Sequence, residues 1–235
     1  AMVFLHGAGM DHSVWALLAR AFAHHGFGVL APDLPGHGRS EGPPLNSIAA
    51  LADWTAALID AARVTAKVVG HSMGSLVALD AAARHPEKIT ALGLIATAAP
   101  MRVSDELLAA AKANDHAAID MISIWGEGYR ATLGGSDVPG LWMRGGSQRL
   151  LERSKPGAIF ADLSACNNYE GALSALAKVS VPSHVIQGSR DLMTPLKSGK
   201  AVAEAIPGCR LTVIEGAGHM LMSERPDEVL KALRS

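Results

Sequence analysis

The sequence predicts an α/β fold: a mostly parallel, doubly wound sheet with helices on both faces. Three observations carry that reading. Short, near-continuously apolar runs alternate with longer segments of helical period. The runs do not alternate polar with apolar residues, which is how parallel strands buried on both faces read. The composition fits as well: of 235 residues, 49% are apolar, only 4% are aromatic and 24 are glycine. That is enough for one packed core, and small residues let helices lie close on a sheet. Strand–helix alternation with short connections then gives parallel strands joined by right-handed crossovers.

The strand candidates, in order, are Met2–Leu5, Gly28–Ala31, Lys67–Gly70, Ala91–Ile95, His184–Gln187 and Leu211–Glu215. Between and after them lie helical segments at Ser13–His25, Ile48–Ala62, Met73–Arg84, Lys197–Ala205 and Pro226–Leu233. In the second of these, Ala50, Leu51, Trp54, Leu58 and Ala61 recur at helical spacing and are expected to face the sheet. Gly26, Pro86 and Pro207-Gly208 supply stop signals after three of the helices. From about Thr97 to Val179 there is no strand candidate. Ser104–Ala113 and His116–Trp125 read as helices, glycine-rich stretches follow, and short helical pieces come near Gln148–Arg153 and Gly157–Ala165. The expectation is a helical cap, residues 97–179, inserted after the fourth strand into a core made of residues 1–96 and 180–235.

Charge and apolar patterning exclude several classes of partner. Lys+Arg total 21 against 22 for Asp+Glu, so no basic face is expected and nucleic acid is not the predicted partner. No apolar run approaches the roughly 20 residues of a membrane span, so no membrane partner is expected. The first residues show no basic segment followed by an apolar one. Cys166 and Cys209 are too few for a disulfide framework and are expected as free thiols, which points to a cytoplasmic setting.

The chemistry concentrates in Gly70-His71-Ser72-Met73-Gly74, a G-x-S-x-G run between a strand and a helix. A serine on so tight a turn needs glycine two residues before and two after it, because any Cβ there clashes. The turn lifts the hydroxyl to the C-terminal edge of the sheet, where open α/β sheets bind ligands. The helix behind it offers N–H groups to developing negative charge. The plainer alternative is a serine that merely caps the helix, which does not require both glycines. Downstream, His219 follows a strand in a Gly-Ala-Gly-His loop and Asp191 follows another, so both reach the same sheet edge. A serine hydroxyl needs a base to become a nucleophile, and a histidine serves if an acid fixes its tautomer.

These motifs together resemble the α/β-hydrolase fold family over nearly the whole chain. Phe4-Leu5-His6-Gly7 is similar to the end of that family's oxyanion-loop strand. Asp33-Leu34-Pro35-Gly36-His37-Gly38-Arg39-Ser40 resembles its D-x-P-G-x-G-x-S loop. Gly188-Ser189-Arg190-Asp191 with Pro195 resembles its acid loop, and Gly218-His219 with Glu224, Pro226 and Val229 its histidine loop. The order Ser72, Asp191, His219 is that of the family's triad. The family sometimes carries its acid after the earlier strand, but Ala96-Thr97-Ala98-Ala99-Pro100 offers no carboxylate there. The resemblance further implies an oxyanion hole from the backbone N–H groups of Ala8 and Met73. It also implies antiparallel strands ahead of Met2–Leu5, where the sequence given starts: either residues upstream are missing from it, or the sheet is shortened to six strands.

Other residues invite rival readings. The ten histidines raise a metal, but no H-E-x-x-H or ligand-spaced cluster occurs, so no metal is expected. Gly7-Ala8-Gly9 does not complete a dinucleotide loop, since His12 stands where the third glycine belongs, so no cofactor is expected. His24-His25 fit a solvated helix end. His6, His37 and His71 fit structural hydrogen bonding, and Asp11 and Asp33 fit capping or turns. Met73, Met193, Met220 and Met222 are either ordinary core or an adaptable pocket wall. In the cap, Trp125, Tyr129, Trp142 and Phe160 are either cap core or pocket cover, with Trp125 first because it ends an apolar helix beside Gly126–Gly128. The expected substrate-binding residues are Trp125, Met193 and Met220.

The expectation is therefore a serine hydrolase acting on small, largely apolar carboxylic esters or lactones through an acyl-Ser72 intermediate. Serine at position 72 argues against the branches of the resembling family that use aspartate there, the haloalkane dehalogenases and epoxide hydrolases. Carbon–carbon bond hydrolysis and cofactor-free perhydrolase chemistry use the same three residues and stay open, as does acyl transfer to an acceptor other than water. A non-catalytic small-molecule receptor on the same fold is the alternative from another class, and turnover separates the two.

Overall fold

The computed structural model describes residues 1–135, 138 and 140–235. Its sheet holds β1 (Met2–Leu5), β2 (Val29–Leu30), β3 (Ala66–His71), β4 (Ile89–Ile95), β5 (Ser183–Gly188) and β6 (Arg210–Ile214). The order is β2-β1-β3-β4-β5-β6, and every neighbouring pair is parallel. All the strand candidates are present. The second is the shortest, because at that edge only Val29 and Leu30 enter the ladder with β1.

Strands β1, β3, β4 and β5 each feed two cores, while β6 at the edge gives only Ile214 to one of them. Val3 and Leu5 of β1 point to one side of the sheet with Val68, Leu92, Leu94 and Val185. Met2 and Phe4 point to the other with Val69, Ile95 and Ile186. The first side is covered by α2 (Ile48–Ala61), α3 (Met73–Arg84) and α10 (Leu196–Ala205), the second by α1 (Ala16–His24) and α12 (Pro226–Arg234). This two-sided burial is why the strands read as unbroken apolar runs. A 3-10 turn at His12–Trp15 precedes α1, so the first helical segment is split in two.

The buried stripe of α2 differs from the expected one. Ile48, Leu51, Ala52, Thr55, Ala56 and Ile59 are buried, while Ala61 is exposed and Ala50, Trp54 and Leu58 are half-buried. The true stripe follows the 3.6-residue period more closely. Thr55 hid it from the sequence: its hydroxyl enters the core by donating to the Leu51 carbonyl at 2.8 Å.

Between β4 and β5 the chain forms α4 (Asp105–Lys112), α5 (His116–Trp125), α6 (Tyr129–Thr132), α7 (Met143–Glu152), α8 (Ala158–Asn167) and α9 (Ala172–Lys178). α5 packs against both α4 and α7. α9 instead packs on α3, and Ala175, Leu176 and Val179 join the core on that side. α11 (Leu221–Glu224) is a short helix after the last strand. Among the described residues no helix is long and apolar enough to cross a membrane.

The order of the strands places the site. From β1 the chain moves outward to β2, then returns to the opposite side of β1 for β3. The connections leave β1 and β3 in opposite directions, which opens a crevice beyond their C-terminal ends. His6-Gly7-Ala8 and Ser72 lie there.

Candidate active site

Ser72 stands between the last residue of β3 and the first of α3, with φ 52° and ψ −119°. That is a strained backbone for any residue but glycine. The flanking glycines make it possible. A Cβ at Gly70 would stand against the Gly74 carbonyl, and one at Gly74 against the Leu5 carbonyl of the neighbouring strand. Ser72 takes the N-cap position of α3 without making a capping hydrogen bond. The plain capping role is thus excluded, and the hydroxyl is left to face the cavity. Ser75 does the local bonding instead, donating to the Ser72 carbonyl at 2.6 Å.

Asp191 and His219 meet at the end of β5 and β6. His219 Nδ1 lies 2.8 Å from Asp191 Oδ2, both side chains being almost fully buried. The other oxygen, Oδ1, accepts the Met193 and Thr194 N–H groups, each at 2.8 Å. The Thr194 hydroxyl donates to Oδ2 at 2.6 Å. Burial works against the Asp191 charge, but the His219 ring and the Thr194 donors outweigh it and hold the carboxyl below its usual range. An ionised acceptor on Nδ1 keeps the proton there and leaves Nε2 as the nitrogen able to accept one. Ser72 and His219 line one cavity of about 400 Å³. No hydrogen bond joins them in this conformation, a common state before substrate tightens the site.

The two N–H groups expected to receive an oxyanion, those of Ala8 and Met73, are both without an acceptor among the described residues. Met73 is the first residue of α3, where N–H groups lack helical partners. Ala8 follows β1 and lines the same cavity as Ser72. The loop carrying Ala8 is held from both ends. Gly9 N–H donates to Asp162 Oδ2 of α8 at 2.8 Å, and His37 Nε2 reaches that oxygen at 2.8 Å.

Comparisons with known proteins identify the family. A family model described as alpha/beta hydrolase fold matches residues 1–226. The chain belongs to the α/β-hydrolase fold family. It is 32% identical to the pimeloyl-[acyl-carrier protein] methyl ester esterase of Chromobacterium violaceum, over 99% of this chain and 92% of the relative. Among solved structures it resembles the enol-lactonase from Burkholderia xenovorans LB400, with a TM-score of 0.89 and 26% identity over 99% of this chain and 89% of that one. It also resembles a thermophilic esterase, with a TM-score of 0.81 and 30% identity over 99% and 87% of the two chains.

Within this α/β-hydrolase the remaining site residues fall as follows. Trp125, Met193 and Met220 all line the cavity beside Ser72 and His219. Tyr129 and Trp142 are exposed, and Phe160 packs into the core beneath. Met73 buries its side chain completely in the core, so only its backbone serves the site. Thr194 escaped the sequence reading, although a threonine three residues after an aspartate is a known turn pattern. Ser123 and Glu127, which also line the cavity, were missed as well. The signal for Glu127 was a lone acid between two glycines.

Asp11, His12 and Asp33 bring their ligand atoms within 4.8 Å of one another. Those atoms are already engaged. Asp33 Oδ1 takes His12 N–H and ring Nδ1, and Oδ2 takes Arg39 N–H. Asp11 caps Ser13 and pairs with Arg153. The cluster reads as loop bracing.

Two buried histidines carry a pH signature. His6 accepts Leu34 N–H at Nε2 and donates from Nδ1 to the Gly7 carbonyl. His71 donates from Nε2 to the His219 carbonyl at 2.9 Å. Burial, with a neighbouring histidine ring adding to it, lowers His6 to about 4 and His71 to about 3. Below pH of about 6.5 the unfolded chain takes up protons that the folded chain refuses, so stability falls as the pH drops. Thermal unfolding scans of wild type and His71→Gln from pH 7 to 4.5 are expected to show the steeper loss of Tm in wild type. Parallel curves contradict it.

Proposed function

We propose that this α/β-hydrolase is a serine hydrolase that cleaves small, largely apolar carboxylic esters or lactones through an acyl-Ser72 intermediate. One observation carries the proposal. An uncapped serine on a strained turn opens into the same cavity as a histidine whose Nδ1 is bonded to a buried aspartate. His219 takes the Ser72 proton as the hydroxyl attacks the carbonyl carbon, then gives it to the departing alkoxide. Asp191 holds the ring and stabilises its charged form. The Ala8 and Met73 N–H groups receive the oxyanion; one such donor is worth roughly 2.7–4 kcal/mol in the transition state. Water, activated by His219, then releases the acid.

The cap reading supports this. Of the expected lid, residues 97–179, we assign α4 to α8 to it and leave α9 to the core beside α3, with α5 and α7 over the cavity and Trp125, Met193 and Met220 as apolar wall. The printed name of the Chromobacterium relative concerns a methyl ester and that of the Burkholderia neighbour an enol-lactone. Methyl esters and lactones are accordingly the substrate classes proposed. The two unpaired cysteines fit a cytoplasmic setting.

A series of p-nitrophenyl esters from acetate to dodecanoate tests the proposal. Each buried methylene adds about 0.8 kcal/mol, so kcat/KM is expected to rise about fourfold per methylene until the cavity is filled, then fall. Stoichiometric binding of the esters without turnover contradicts it and favours the receptor alternative.

A further inference from the structure

Apart from Ser72, Thr194 and His219, the polar residues of the cavity wall are Arg102, Ser104, Ser123, Glu127 and Ser147, set in an otherwise apolar lining. Ser123 and Glu127 lie four residues apart around the C-terminal end of α5, and Ser147 comes from α7. Ser123 and Glu127 are each only 4% exposed. No hydrogen bond of full geometry reaches either oxygen of the Glu127 carboxyl or the Ser123 hydroxyl, although the Ser147 side chain lies close enough to favour the charged carboxylate. Buried polar atoms in native proteins are almost always partnered, so three without a full partner, on two residues that line a single cavity, need an explanation. A catalytic role in ester cleavage does not supply it, because Ser72, His219, Asp191 and two backbone N–H groups complete that chemistry.

We propose that Glu127, with Ser123 and Ser147, forms a polar subsite in the lid that binds a hydroxyl group of the substrate. The proposal rests on the hydrolase reading and narrows it to hydroxylated esters or lactones. A carboxyl group accepts a hydrogen bond from a hydroxyl when ionised and can also donate one when protonated. Both forms are present near neutrality. Burial, with the Glu224 carboxylate behind it, raises Glu127 to about 7, while the nearby Ser147 hydroxyl and Arg144 guanidinium oppose the rise. A hydroxyl satisfies either form. An ammonium suits the ionised form alone and must be stripped of water in an apolar cavity. A carboxylate at this corner would meet like charge from Glu127 and Glu224, while Arg102, which also lines the cavity, donates to the Asn167 carbonyl at 2.9 Å.

Position favours a role in choosing substrate. The Gly126 carbonyl, next to Glu127, accepts the N–H groups of His219 and Met220 at 3.1 and 2.9 Å. Glu224 Oε2 ties Gly128 N–H to Gly218 N–H at 3.1 and 3.0 Å. The backbone on both sides of Glu127 is thereby locked to the histidine loop. The subsite therefore keeps a fixed place relative to the reacting bond.

The experiment compares kcat/KM for paired substrates. The pairs are p-nitrophenyl hexanoate with its 3-hydroxy and 6-hydroxy counterparts, and ethyl with 2-hydroxyethyl hexanoate. Wild type, Glu127→Gln and Glu127→Leu are measured. A site built around a substrate hydroxyl discriminates against the analogue lacking it, so wild type is expected to prefer at least one hydroxylated member about tenfold or more. Glu127→Leu is expected to bring that ratio to about one while keeping the plain ester within about threefold. Glu127→Gln should fall between. Glu127→Leu should also melt no lower than wild type, since it removes a buried unpartnered group. Equal ratios in wild type and Glu127→Leu overturn the subsite. So does better turnover of 6-ammonio- or 6-carboxy-bearing acyl esters than of the hydroxylated ones. Cleavage of plain esters without hydroxyl preference sinks the subsite alone. No cleavage of any ester, with no labelling at Ser72, sinks the hydrolase reading and the subsite with it.

Discussion

Ser72→Ala is expected to lose ~10⁴–10⁶ in kcat on any ester that wild type cleaves, at an unchanged or slightly raised Tm. The size of the effect follows from the mechanism. Without the hydroxyl there is no acyl intermediate, and only the N–H donors and binding remain to assist water. The unchanged stability follows from the structure. The Ser72 hydroxyl caps nothing, so its removal leaves no buried partner unsatisfied. The strain at φ 52° is the same for alanine as for serine. Steady-state kinetics and a thermal melt on the same preparation check both halves. A loss of activity matched by a loss of folded protein contradicts the account.

Asp191→Asn carries the second large effect, about 10⁴ in kcat. The replacement keeps one oxygen for the Met193 and Thr194 N–H groups that Oδ1 now accepts. It then turns an amide NH₂ toward His219 Nδ1 and the Thr194 hydroxyl. That amide donates, so His219 is pushed to carry its proton on Nε2. A protonated Nε2 cannot take the proton from Ser72. The defect is expected in kcat far more than in KM, and to resist rescue by raising the pH, because the tautomer and not the charge is wrong. A variant within about threefold of wild type means that another group orients the ring.

Much of this was legible in the sequence, for reasons of local physics. A G-x-S-x-G run between a strand and a helix is dictated by close backbone approach within a few residues, so it can be read without tertiary information. The Gly74 position against the Leu5 carbonyl shows why the pattern tolerates so little. The strands were legible because burial on both faces leaves continuous apolar runs. What escaped depends on distant parts of the chain. The α2 stripe was shifted because a threonine can enter a core by bonding its own helix. The placement of α9 on α3 rather than over the cavity is a packing choice among similar apolar helices. Thr194 and Glu127 gain meaning only once three loops and the end of α5 meet at one cavity.

The central claim is that Ser72 is the nucleophile. Its most direct test is mechanism-based labelling with a fluorophosphonate, read by intact-protein and peptide mass spectrometry. The account predicts about one adduct per chain, confined to the peptide that contains Ser72, lost in Ser72→Ala and slowed by ester substrate. An adduct elsewhere, or equal labelling of Ser72→Ala, would contradict it.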